Sequence, residues 1–192
     1  MAGKYLSREK ENFVKRSFKG IGYWLMGSFM CFFMCSVLLM LMKGILVLKI
    51  FVAFCTTAIM LGLYFNWAYN AAKRDRNAVK FHNMEYDRYM PLKMSLTAPI
   101  VSYVMLILLY LCKFGAIPET FYSIYLVCNI WIFPYVSMFT EERTIGSVTW
   151  VGMGGITLIT LLQPLAVSLT YILTYNDVDV VNLIFYKKDK KL

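Results

Sequence analysis

Residues 20–42 read GIGYWLMGSFMCFFMCSVLLMLM, a run of 23 residues between Lys19 and Lys43 without a charged side chain. The hydrocarbon core of a bilayer is about 30 Å thick, and a helix rising about 1.5 Å per residue needs roughly 20 apolar residues to cross it. This run therefore predicts a membrane-spanning helix. Tyr23 and Trp24 stand near its start, where aromatic rings favour the lipid headgroup level.

Comparable charge-free runs recur along the chain, at 50–72, 94–112, 120–140 and 144–176. The chain is 59% hydrophobic, well above the roughly 45 to 50% that is usual for soluble domains. We therefore expect an all-α polytopic transmembrane helical bundle with about five spans, at about 20–42, 45–69, 94–112, 120–140 and 148–175. The remaining segments are a basic head (1–19), a polar loop (70–93) and a basic tail (177–192) around a transmembrane domain (20–176).

The last charge-free run is 33 residues long, which is more than one straight span requires. It contains the pair Gln163-Pro164, and proline removes a backbone donor from a helix. We expect one irregular span here. The alternative is a broken or re-entrant arrangement centred on this pair.

Individual residues refine the prediction for the other spans. Pro91 suits the first turn of the third span, and Pro99 is positioned to kink it. Ala58 and Gly62 form a pair of small residues four positions apart, which permits close approach of another helix. Lys49 lies near enough to the end of the second span for its side chain to extend outward to water.

The net charge of +9 comes from lysines and arginines that flank the apolar runs, so we expect a membrane surface, not nucleic acid, to be their partner. With five spans and the head inside, 13 of these residues lie on the inner side and seven outside. This predicts a cytoplasmic N-terminus. The basic tail is the discordant element, because an odd number of spans places it outside unless the last run turns back.

Two clusters of cations are candidates for contact with anionic lipid headgroups or with a protein partner. One belongs to the head and the other follows the second span; they comprise Lys15, Arg16, Lys19, Arg74, Arg76 and Lys80. A solvated helical extension of the second span also accounts for the second cluster.

The strongest polar residues inside the predicted spans are Asn66, Asn129 and Gln163. Together they could line an intramembrane polar path, provided that they converge. No Asp, Glu or Arg lies at mid-depth in the spans, which argues against a proton- or sodium-coupled carrier.

Residues suited to catalysis or metal binding are sparse, and we predict no enzyme activity, cofactor or metal site. Cys31 and Cys35 sit one helical turn apart without a nearby histidine or carboxylate. His82 is the one histidine of the chain, with Glu85 three residues on. The adjacent carboxylates of Glu141-Glu142 point to different faces of a helix, so they do not form a catalytic pair.

Two short motifs carry a resemblance to a known group of proteins. They are Arg74-Asp75-Arg76-Asn77 and the ending Tyr171-Ile-Leu-Thr-Tyr175 with Ile184-Phe-Tyr-Lys-Lys188. In these motifs the chain resembles an uncharacterised group of small multispan membrane proteins of Gram-positive bacteria. The resemblance implies a bacterial plasma membrane location, and it implies no activity, cofactor or site.

Short loops, basic segments suited to docking and the missing catalytic residues favour a non-enzymatic accessory or assembly subunit of a larger membrane complex. The alternative is a small transporter or channel, alone or as a homo-oligomer. The two hypotheses differ in where they place Asn66, Asn129 and Gln163, since only transport requires these side chains to face one another.

Overall fold

The computed structural model describes residues 13–42, 45–82, 85–140 and 144–178 of the 192-residue chain. These residues form helices and connecting turns, which confirms the predicted all-α fold. The α-helices are α1 (Phe13–Met42), α2 (Leu46–His82), α3 (Met90–Thr97), α4 (Ile100–Lys113), α5 (Thr120–Cys128), α6 (Phe133–Phe139) and α7 (Trp150–Tyr175).

Three of the described helices, α1, α2 and α7, are long and apolar enough to cross a membrane. The remaining apolar helices form two bent pairs: α3 and α4 meet at 52°, and α5 meets the segment Ile130–Phe139 at 90°. The predicted five spans result if each bent pair counts as one span. The described helices thus suit a membrane, and each bent pair is interrupted within its apolar run.

Helix α2 is 37 residues long, so it measures about 55 Å and outreaches the hydrocarbon core. It continues to His82, and much of the predicted polar loop is therefore helical. Helix α2 packs against α1 on one side and α7 on the other, and α7 also packs against α3. It is the central element of the bundle.

Glycines allow α1 to approach α2 closely. A Cβ at Gly20 would lie 3.2 Å from the ring of Trp67 and 3.1 Å from the Cα of Ala98, and a Cβ at Gly27 would overlap the side chain of Met60. The order of these contacts shows that α1 and α2 run antiparallel. A larger residue at Gly20 would press on the backbone of Ala98, and one at Gly27 would require the side chain of Met60 to move.

Proline has different consequences at different positions of the bundle. Pro91 lies in the first turn of α3, and Pro99 precedes α4 at the 52° bend, as predicted. Pro164, in contrast, lies inside α7, which runs unbroken from Trp150 to Tyr175. The last span is therefore a single helix, and the break occurs instead in the fourth span, at Asn129.

Each end of α7 carries a recognisable cap. The hydroxyl of Thr149 accepts a hydrogen bond from the amide of Gly152 at 3.2 Å, which starts the helix. At the other end Asp177 adopts a left-handed conformation with φ of 62°, and the amide of Val178 donates to the carbonyl of Leu173 at 3.0 Å. This is a Schellman ending, and it positions Asp177 beside α2.

Two lysines bond backbone carbonyls at the end of the bundle away from the head. Lys49 is 8% exposed, and its Nζ donates to the carbonyl of Ser137 at 2.7 Å near the end of α6. This differs from the prediction that its side chain extends outward to water. Lys113 donates to the carbonyls of Ile145 and Val148 at 3.0 and 2.6 Å. Both ammonium groups therefore stabilise carbonyls at or near the ends of helical segments.

Candidate functional site

A buried ion pair joins α1 and α2 at the end of the bundle where α1 begins, which we call the head end, and α7 contacts the same pair. The guanidinium of Arg16 on α1 donates to both carboxylate oxygens of Asp75 on α2, at 2.6 and 2.5 Å. The hydroxyl of Tyr171 on α7 donates to Oδ2 of Asp75 at 2.5 Å. We call these three residues the head-end triad. Because the side chains of Arg16 and Asp75 are only 3% and 14% exposed, the pair is largely shielded from water.

The helix lengths explain why these groups meet. Arg16 lies in the first turn of α1, Asp75 in the extension of α2 beyond its most apolar part, and Tyr171 in the last two turns of α7. A planar guanidinium matches a carboxylate with two parallel hydrogen bonds, which is the geometry that offsets the cost of burying both charges. The triad holds the three long helices in register.

A second layer of contacts surrounds the triad. Arg76 pairs with Asp177, whose side chain is 82% exposed, and Tyr86 stacks on Tyr175 at 4.2 Å between ring centroids. A cavity of about 20 Å³ lies against Asp75 and is also lined by Tyr86. That volume holds about one water molecule. The triad therefore offers no room for a larger ligand, and its arrangement is that of a structural clamp.

The six cations predicted to contact lipid or a partner divide into two groups. Arg16 is only 2% exposed and Arg76 pairs with Asp177, so both contribute to contacts within the protein. This differs from the prediction for Arg16, because a guanidinium enclosed between helices cannot reach a headgroup. The exposed members of the set are Lys15, Lys19, Arg74 and Lys80.

Lys19 and Arg74 lie on opposite walls of an open groove between α1 and α2. The groove has a volume of about 660 Å³ and is also lined by Gly22, Tyr23, Met26, Trp67 and Asn70. We call it the α1–α2 groove. Its volume lies within the range of roughly 300 to 1,000 Å³ that ligand pockets usually have.

The break in the fourth span is closed by side chains from the neighbouring helices. Backbone that leaves helical geometry within a membrane needs other hydrogen-bond partners. Three hydroxyl or thiol groups of α1 and α2 supply them: Ser28 donates to Cys128 O at 3.3 Å, Cys35 to Ile130 O at 3.8 Å, and Thr56 to Trp131 O at 3.0 Å. The carbonyls of the break are thus used to hold the bundle together.

The three predicted polar-path residues lie in different environments. Asn129 is fully buried at the break, where Oδ1 accepts from Ser102 at 3.3 Å. Gln163 is fully buried on α7, and within the described part of the chain neither atom of its amide has a hydrogen-bond partner. Asn66 is exposed on α2 and bonds with Asn70. The structure therefore does not bring Asn66 together with the two buried amides.

Small and polar residues form a stripe on the outer face of α2. Ala58, Gly62, Asn66 and Asn70 follow one another at four-residue spacing, and all four are exposed. A Cβ at Gly62 would have nothing within 4 Å. The amide of Asn70 donates to the backbone and side-chain oxygens of Asn66, at 2.8 and 2.9 Å. We call these four residues the α2 outer stripe.

The sequence identified Ala58 and Gly62 as a helix-packing pair, but it gave no indication of which face of α2 they occupy. In the structure α1 approaches α2 through Gly20 and Gly27, whereas Gly62 faces away from the bundle. The pair is therefore not used by the described helices of this chain.

The remaining candidates for chemistry that the structure describes do not form a metal-binding cluster. Cys31 and Cys35 are buried free thiols, and Cys31 donates to the carbonyl of Thr56 at 3.6 Å. In the described ranges no three His, Cys, Asp or Glu side chains are grouped closely enough to hold a metal ion. The side chain of His82, the Glu141-Glu142 pair and the tail beyond Val178 lie outside the described residues.

Compared with protein-family models, curated proteins and solved structures, the chain shows no significant match.

Proposed function

We propose that the protein is a non-enzymatic accessory or assembly subunit of a membrane complex, and that it binds a transmembrane helix of its partner on the α2 outer stripe. The observation that carries this proposal is the exposure of the α2 outer stripe, which has open space beside Gly62 and the two side-chain amides of Asn66 and Asn70.

The physics of helix association in lipid supports this proposal. Lipid chains are as apolar as leucine, so helices associate there through close packing and interhelical hydrogen bonds. Ala58 and Gly62 permit the backbone of a partner helix to approach closely. Asn66 and Asn70 retain donor and acceptor capacity beyond the two bonds between them, since each amide has two N–H donors and a carbonyl oxygen.

The interior of the bundle supports a structural role as well. Side chains of α1 and α2 occupy carbonyls at the break, and the cavity beside the head-end triad holds about one water molecule. These features favour a rigid bundle over one that changes shape to move a solute. On this proposal the head and the triad lie on the cytoplasmic side of the plasma membrane, in line with the excess of Lys and Arg in the head and after α2.

Transport is the second candidate function, and Gln163 is the observation that favours it. A fully buried amide without a partner among the described residues normally costs about 1 to 3 kcal/mol. Proteins keep such a buried amide where it binds a solute or an ordered water molecule. The exposed position of Asn66 weighs against the predicted polar path through Asn66, Asn129 and Gln163.

Site-specific photocrosslinking in the native membrane tests the accessory proposal. A photoreactive residue replaces Gly62 in one variant and Gly154 of α7 in the control; both glycines are exposed and have open space around them. We expect a discrete adduct with a different membrane protein from position 62 and none from position 154. Equal adducts from both positions, or an adduct with a second copy of this chain, would contradict the accessory role.

A further inference from the structure

We propose that the α1–α2 groove binds one anionic phospholipid, with its phosphate between Lys19 and Arg74 and one acyl chain along the apolar part of the groove. This inference is independent of the proposed accessory function, because it concerns a different ligand and rests on Lys19, Gly22 and Arg74, which lie outside the α2 outer stripe; the two surfaces meet at Asn70.

The groove is built from one face of each helix. On α1 its residues are Lys19, Gly22, Tyr23 and Met26, whose spacing of three and four places them on one side of the helix. On α2 they are Trp67, Asn70 and Arg74, which likewise share one side. Because the helices are antiparallel, Lys19 lies at the same end as Arg74, and Met26 lies at the same end as Trp67.

This order gives the groove the polarity of a lipid. Its cations lie towards the head end of the bundle, and its apolar residues lie deeper along α1 towards the middle of the span. A phospholipid in the adjacent leaflet has the same order, with phosphate outside and hydrocarbon inside. A soluble anion would use the cations and leave the apolar wall without a partner.

The charges of the groove complement a phosphate. Among the described residues that line it, two are cationic and none is acidic. The nearby carboxylate of Asp75 is engaged with Arg16 and Tyr171, so its charge is compensated within the bundle. Lysine and arginine bind phosphate oxygens with charge-assisted hydrogen bonds.

Space for the acyl chain is created at Gly22. Contacts at Gly20 and Gly27 hold α1 against α2, whereas a Cβ at Gly22 would have nothing within 4 Å. Gly20 and Gly27 share one side of α1 and Gly22 lies on another, so the opening runs alongside the helix contact. The ring of Trp67 forms part of its wall, and aromatic residues of this kind favour the level just below the headgroups.

Native mass spectrometry of the full chain, released from nanodiscs that contain phosphatidylglycerol or phosphatidylcholine with identical acyl chains, tests this site. We expect one retained phosphatidylglycerol per chain and at least about tenfold weaker retention of phosphatidylcholine. The double variant Lys19→Gln, Arg74→Gln should lose this preference. Lys15→Gln, Lys80→Gln is the control, since it removes two exposed cations that do not line the groove.

A second variant tests the acyl-chain half of the proposal. A Cβ at position 22 would meet no protein atom within 4 Å, so Gly22→Leu should fold normally and, by occupying the groove, reduce phosphatidylglycerol retention at least about tenfold. Gly154→Leu, at an equally open glycine on α7, should leave retention unchanged. Equal loss from the control pair of charges, no loss in the groove variants, or full displacement by chain-free glycerol phosphate would overturn the proposal.

Discussion

Arg16 and Asp75 are 59 residues apart in sequence, yet they form a doubly hydrogen-bonded ion pair that joins the beginning of α1 to the extension of α2. Tyr171 binds the same carboxylate from α7. The pair therefore lies where the three longest helices meet, and one residue of the α1–α2 groove, Arg74, is the direct neighbour of Asp75 in the chain. The stability of this end of the bundle should depend on the pair.

Removal of the carboxylate charge should strongly destabilise the protein. Asp75→Asn leaves the guanidinium of Arg16 buried without its counter-charge, and the loss of one partner of a buried pair costs about 3 to 5 kcal/mol. The free energy of unfolding, measured in mixed detergent micelles, should fall by about 3 kcal/mol or more. Arg76→Gln is the control, because its partner Asp177 is 82% exposed and the expected loss is below about 1 kcal/mol.

The double variant Arg16→Gln, Asp75→Asn completes a thermodynamic cycle. It should recover part of the stability lost in Asp75→Asn, because neither buried charge remains. Equal unfolding free energies for Asp75→Asn and Arg76→Gln would show that the triad does not clamp the bundle.

Thr56 should contribute to stability through the broken span. Its hydroxyl lies within donating distance of the carbonyls of Trp131 at 3.0 Å and of Ala53, in its own turn, at 3.1 Å, and Thr56→Val keeps the shape while leaving the Trp131 carbonyl without this donor. We expect unfolding to become easier by about 1 to 3 kcal/mol. Thr97→Val is the control, since the Thr97 hydroxyl bonds only its own turn at 2.9 Å from Lys93 O. Indistinguishable unfolding curves for the two variants would show that the Thr56 hydroxyl does not stabilise the broken span.

Lys113 should hold the turn that precedes α7. Its ammonium group donates to the carbonyls of Ile145 and Val148, and Lys113→Met retains the apolar stem without the charge. Hydrogen exchange of amides in 145–148 should accelerate about tenfold or more. Lys93→Met, which removes an exposed pair with Asp87, should leave this segment unchanged. Slow exchange in Lys113→Met would mean that the turn is held by other contacts.

Gln163 distinguishes the two candidate functions through stability. For an accessory subunit, Gln163→Leu should stabilise the protein by about 1 to 3 kcal/mol, because it removes a buried amide without a partner among the described residues. Asn129→Leu should destabilise it, since Asn129 bonds Ser102 inside the bundle. A destabilising Gln163→Leu variant would indicate that water or a solute satisfies the amide, and would favour transport.

The apolar runs predicted the spans because length and composition decide whether a segment can cross a membrane. Pro99 marked the bend in the third span, but the apolar runs did not mark the break in the fourth. The last run was expected to form one irregular span, with a break at Gln163-Pro164 as the alternative; α7 tolerates Pro164 as one missing donor and continues. The actual break at Asn129 depends on donors such as Ser28 and Thr56, which are far away in sequence and visible only in three dimensions.

The candidate contact residues were likewise predicted without the contacts that form only in three dimensions. Sequence grouped Arg16 with Lys19 because both are cations of the head, although one residue lies inside the bundle and the other faces outward. A helical wheel does not separate them, because residues three positions apart are neighbours on the helix surface. The partner of Arg16, an aspartate 59 positions away, gave no local signal.

The most direct test of the accessory role is native mass spectrometry of the protein gently extracted from its own membrane, with variants at two open glycines. We predict a hetero-complex for the unmodified chain and for Gly154→Leu, and its loss for Gly62→Leu, because a leucine on the α2 outer stripe prevents close approach of the partner helix. A monomer or homo-oligomer in all three samples, or a hetero-complex that survives Gly62→Leu, would contradict the account.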